Sequence, residues 1–214
     1  MKRSLYKTMK ADRKILRNHT DGKNDSDEIF REHFPMLERC MKQTVSDCRK
    51  AEKRLKNADF LSELFEKCTR LCDGGVLPDS EGIVGFFSEN MSGRSVEYLP
   101  LAITCAVTHC FANSLDENNP EKSLNCVKSL QKMRETDFDY ISERLFSAEK
   151  ILADDPSGFY SFLSSETKAR YRRKTAVFAA KNKKTEPDFA ADILKKSKEK
   201  CCHIGEYLFS SVKS

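Results

Sequence analysis

From Phe30 to Leu208, apolar side chains return at three- and four-residue steps, and almost nowhere at the two-residue step of a strand. A helix has 3.6 residues per turn, so this spacing gathers the apolar groups onto one helical face. Phe30, Phe34, Leu37, Met41, Val45, Cys48 and Leu55 form one such stripe, and Leu61, Leu64, Phe65, Cys68 and Leu71 form a second. The eight glycines and six prolines fall mostly between stripes, where they act as stops. The pattern predicts an all-α chain, a multi-helix bundle of roughly eight to ten helices joined by short turns.

Capping residues place the boundaries. Asp25 with Glu28 opens the first long helix, which Pro35 kinks or divides, because proline lacks the amide proton and clashes with the preceding turn. A second helix runs from about Ala58 to Cys72 and stops at Gly74-Gly75, and Leu77-Pro78-Asp79 opens a short one with Ile83, Phe86 and Phe87. Ser95 caps the most apolar helix, which reaches Leu115. Asn119-Pro120 starts another with Leu124, Val127 and Leu130 inward. Phe138, Ile141, Leu145, Ala148 and Leu152 make a heptad-like stripe that ends at Asp155-Pro156-Ser157-Gly158. Ser164 or Ser165 caps a helix through Tyr171 and Phe178, and Thr185-Glu186-Pro187 starts one with Phe189, Ile193 and Leu194.

Charged residues make up 33 % of the chain and the mean hydropathy is -0.61, as for a water-facing helical surface. The longest apolar run, LPLAITCAVTHCFA at 99–112, is shorter than the ~20 apolar residues that span a bilayer and reads as a buried helix. With no export signature in MKRSLYKTMKADRK, a cytoplasmic location is expected, with the cytoplasmic face of a membrane as a variant of it.

Charge is uneven. Residues 1–17 carry seven Lys/Arg against one Asp, and residues 168–200 carry twelve against four acids, which leaves the rest at a net -9. Residues 1–24 read as a flexible basic segment ahead of one helical domain over 25–214. Basic ends suit nucleic-acid phosphates or an anionic membrane surface, and equally a solvated face paired with the acidic middle. Nucleic acid is disfavoured because no aromatic residues interleave with the Lys/Arg as stacking platforms.

Chemistry-bearing patterns are sparse. His19, His33, His109 and His203 lie in no metal-ligand motif, and there is no nucleophile elbow or phosphate-binding glycine loop. Nine cysteines include Cys68-x-x-x-Cys72 and Cys201-Cys202-His203, and their scatter along helices reads as buried reduced thiols. Carboxylate pairs such as Asp137 with Asp139 and Asp154 with Asp155 sit where helix starts need acceptors. The residues alone therefore designate no catalytic group, metal or cofactor.

One run carries a resemblance. Asp155-Pro156-Ser157-Gly158-Phe159-Tyr160, then Thr167 and Arg170-Tyr171-Arg172, then Asp188-Phe189-Ala190, then His203-Ile204-Gly205-Glu206-Tyr207-Leu208 resembles, in order and spacing, a run in cyclic β-1,2-glucan synthases. Glu97-Tyr98-Leu99-Pro100 is similar to a further helix of that family, so that the resemblance covers about 60–209. Ser157, Glu206 and Cys201-Cys202 depart from the family's pattern. In those membrane enzymes this region precedes the glycosyltransferase that polymerises glucose from UDP-glucose.

The resemblance implies a non-catalytic scaffold or docking module, with a membrane glucan synthase or its glycosyltransferase domain as partner. Asp155, Pro156, Gly158, Tyr160, Thr167, Arg170, Tyr171, Arg172, His203, Gly205 and Tyr207 would then be structural. Two other roles stand beside it: a subunit of a split glucan synthase, and a basic-ended binder of nucleic acid or anionic membrane. For the residues themselves, Gly158 fits a turn, Tyr171 and Tyr207 fit core aromatics with a wet hydroxyl, and Arg172 fits a bidentate carboxylate contact.

Overall fold

The computed structural model describes residues 4–21, 28–55, 59–73, 75–88 and 91–209. Among them the chain is all-α, with no strand and a single parallel bridge between Met91 and Phe146. The Asp25 cap, the Ala58 start and Gly74 lie outside the described residues, as do the side chains of His19 and Phe30. Where one helical domain was expected over 25–214, the backbone groups into two compact units. One comprises Met1–Phe86 with Tyr98–Thr136, and the other Phe87–Glu97 with Asp137–Ser214.

In the first unit, α1 (Leu5–Asp21) lies along α2 (Glu28–Arg54), followed by α3 (Asp59–Asp73), α4 (Ser80–Phe87), α5 (Gly93–Asp116) from Tyr98 onward, and α6 (Pro120–Lys132). α1 corrects the expectation of a flexible basic segment. Leu5, Met9 and Leu16 are buried at helical spacing, and the first two join Cys48, Ala51, Leu61 and Cys105 in one cluster. Glu52 fixes the start of α1 by accepting from the Ser4 hydroxyl at 2.8 Å and the Tyr6 amide at 3.0 Å. A carboxylate there meets both unpaired amides and the positive end of the helix. The Lys/Arg of α1 mask this stripe in the sequence; Lys7, Lys10, Lys14 and Arg17 are exposed, and Arg13 is half-buried.

α2 continues past Pro35 without interruption. α5 begins at Gly93, and Ser92, not Ser95, supplies its cap oxygen to the Ser95 amide at 3.1 Å. Its 24 residues are long and apolar enough to cross a bilayer, a property shared by buried core helices, and 61 % of its most apolar window is enclosed by the chain. Six cysteines are buried, with the Cys48 and Cys105 sulfurs 3.3 Å apart, whereas Cys201 is exposed against expectation. On α4, Ile83 and Phe87 are buried and Phe86 is 43 % exposed.

In the second unit the heptad-like stripe is not one helix. α7 (Phe138–Leu145) and α8 (Glu149–Ala153) are separated where Met91 inserts its backbone, donating to Leu145 O at 2.7 Å and accepting from Ser147 at 3.2 Å. Those bonds replace helical ones, so Phe146 turns extended although its neighbours keep their apolar period. A 3-10 turn (Phe159–Phe162), α9 (Ser165–Lys181), α10 (Glu186–Lys200) and α11 (Gly205–Phe209) complete the unit. Ser164 and Thr185 cap α9 and α10 as expected. Asn119 and Asp137 likewise cap α6 and α7.

Candidate functional site

The second unit brings six of the eleven singled-out residues into one corner. Its anchor is the turn after α8, where the Gly158 amide bonds back to Asp155 O at 2.8 Å and Gly158 takes φ 67°. Pro156 presets the second position, and glycine accepts the positive φ without strain. The turn buries the Asp155 carboxyl, whose side chain is fully enclosed. One oxygen accepts the Ile204 amide at 3.0 Å; the other accepts His203 Nδ1 at 2.6 Å, the Ser157 hydroxyl and the Tyr160 amide at 3.3 Å. A single carboxylate thereby ties the α8 turn to the α10–α11 connection.

His203 is bonded on both sides, with Nε2 2.6 Å from the Tyr171 hydroxyl of α9. The Asp155 carboxylate faces Nδ1 and the Tyr171 hydroxyl faces Nε2, so both ring nitrogens are occupied within the corner. Gly205 lets the start of α11 come this close, since a Cβ there would lie 2.3 Å from the Tyr171 oxygen. Beneath it, Tyr160 packs edge-on against Tyr171 with centroids 5.4 Å apart and donates to Glu149 at 3.0 Å. Glu149 also takes Arg172 NH1 at 3.2 Å. That contact is single, not the bidentate one expected, although both partners are buried.

Electrostatics follow from burial. Burial pushes the Asp155 carboxyl up, but bonds from Ser157, the Ile204 amide and His203, with the His203 charge, outweigh it and the net shift is downward. The Glu149 carboxyl is raised by burial, against the pull of Arg172 and Tyr160. Burial and then the Asp155 charge raise the Tyr171 phenol. Asp-His-Tyr in series resembles the geometry that activates a nucleophile. Here the hydroxyl is held as a buried neutral phenol, with Tyr171 only 6 % exposed.

The other five sit apart or act locally. Pro156 and Gly158 shape the turn, and Thr167 bonds the Ser164 cap at 2.9 Å. Arg170 makes an exposed pair with Glu166 at 2.8 Å, and Tyr207 reaches Lys196 O at 3.1 Å on α10. Sequence reading missed Glu149, which pairs with groups 11 and 23 residues away and has no local signature. It also missed the Ser157 contact to Asp155, whose signal was the short Asp-x-Ser spacing. Among the described residues no cluster of three His, Cys, Asp or Glu has metal-holding geometry. In the first unit His109 is held by Asp12 at 2.9 Å and Asn113 at 3.3 Å.

Folding also joins aromatics to cations that looked separate along the chain. Lys174 lies over both Phe178 and Phe209, Lys181 over Phe178 and Lys200 over Tyr207. Comparison with protein-family models, with curated proteins and with solved structures finds no match to this chain.

Proposed function

We propose that the chain is a non-catalytic helical docking module related to the front of cyclic β-1,2-glucan synthases, a scaffold for a membrane glucan synthase or its glycosyltransferase domain. The observation that carries this reading is where the corner spends its polar groups. Both oxygens of Asp155, both nitrogens of His203 and the Tyr171 hydroxyl are directed at one another, Ser157 and backbone amides. The Tyr171 oxygen, which would be the reacting atom of such a series, belongs to a side chain only 6 % exposed, and these groups join the α8 turn, α9 and α11. The motif-like spacing is then the spacing of an architectural tie, and contact with a partner falls to the outer surface.

The test is affinity capture of the tagged, folded chain from a membrane extract of its own cells, beside a UDP-glucose turnover assay. The docking role expects recovery of a glycosyltransferase-bearing membrane protein and no turnover by the purified chain. Hydrolysis of UDP-glucose or extension of a β-1,2-glucan primer by the chain alone would overturn it, as would capture of no such protein.

A further inference from the structure

Around the corner the second unit exposes a strip of aromatic rings and lysines. In a 3-10 turn, side chains at i and i+3 eclipse, so Phe159 and Phe162 stand on the same side. They are 57 % and 87 % exposed. Phe159 meets the His203 ring at 5.3 Å, and the sequence of rings continues through Tyr171 to Phe209, 4.8 Å further and 43 % exposed. Lys174 sits 5.7 Å from the Phe209 centroid and 5.6 Å from that of Phe178, and Lys181 5.4 Å from the latter. Lys174, Phe178 and Lys181 follow at i, i+4 and i+7, one face of α9 about 10 Å long, beside the buried Tyr171.

Within the docking role set out above, we propose that this strip lies on an anionic lipid bilayer, with Phe159, Phe162 and Phe209 entering the headgroup boundary and the α9 lysines against lipid phosphates. Charge complementarity selects the occupant. Residues 168–200 carry twelve Lys/Arg against four acids. Phe162 exposes nearly its whole ring to water, and a bilayer interface accepts apolar rings and ammonium groups together. Single-stranded nucleic acid needs open ring faces for base stacking, and lysines lie over the faces of Phe178 and Phe209.

The test is co-sedimentation of the full chain with phosphatidylcholine vesicles and with vesicles containing about one part in three phosphatidylserine. The proposal expects binding to the anionic vesicles alone, and its loss in high salt, where surface charges are screened. Phe162→Ser, at a site too exposed to support the fold, is expected to lower partitioning about tenfold, and Lys174→Glu with Lys181→Glu by at least as much. Unchanged thermal melting of Phe162→Ser confirms that a loss is not unfolding. No binding, equal binding to neutral vesicles, or binding indifferent to these substitutions would overturn it, as would tighter binding to a single-stranded oligonucleotide than to the vesicles. Synthase capture by the unsubstituted chain separates the two roles: failure of its vesicle binding with capture intact overturns the lipid surface and leaves the docking role.

Discussion

Asp155 accepts from Ser157, Tyr160, His203 and Ile204, tying the α8 turn to the α10–α11 connection, and its acid response should reveal it. Its folded pKa is lowered, so the unfolded chain takes up the proton first as pH falls. The stabilisation is complete above the ordinary carboxylate value of about 4 and is lost as pH falls through the lower folded value. Asp155→Asn is expected to lower stability near neutral pH and to flatten the acid limb of a melting-temperature profile, while an unaltered limb would contradict the assignment. Glu149 and Arg172 make a second residue-scale case. Glu149→Leu strands a buried guanidinium and is expected to cost about 3–5 kcal/mol, whereas adding Arg172→Met should recover much of it, as a double-mutant cycle by denaturant titration would measure. At this scale Asp155, Tyr171 and His203 were singled out only by the resemblance, and nothing in their local spacing set them apart. The sequence concealed Glu149, whose partners are set by folding and not by proximity along the chain.

Among the elements, most helices announced themselves through period and caps, and the exceptions share a cause. The stripe from Phe138 to Leu152 keeps helical spacing across a real break, because Met91, distant in sequence, takes the hydrogen bonds that would have joined α7 to α8. α1 was hidden for the opposite reason, since its charges outnumber the buried Leu5, Met9 and Leu16. Cys201 ends α10 in the left-handed region at φ 48°, where a Cβ is unfavourable. Cys201→Gly is therefore expected to stabilise the chain by about 1 kcal/mol, raising its melting temperature by roughly 2–4 °C. A lower melting temperature would show that the exposed thiol matters to the connection that leads into His203.

For the whole molecule, the period of the apolar residues was enough to read an all-α architecture, and charge counting located the basic segments. The division into two units was not legible, because α5 runs through both and its sequence shows no linker. Nor was the aromatic and lysine face, which draws on the 3-10 turn, α9 and α11, brought together by folding. If that tie is architecture, disturbing it should be felt first as lost stability. The most direct measurement is the thermal unfolding midpoint of His203→Ala beside the unsubstituted chain, with membrane-protein capture scored on both. Loss of its bonds to Asp155 and Tyr171, about 2 kcal/mol together, predicts a midpoint lower by about 4–8 °C, with capture retained at temperatures where the variant is folded. An unchanged midpoint with capture abolished would contradict it, and would make the Asp155–His203–Tyr171 corner a contact site for a ligand or partner.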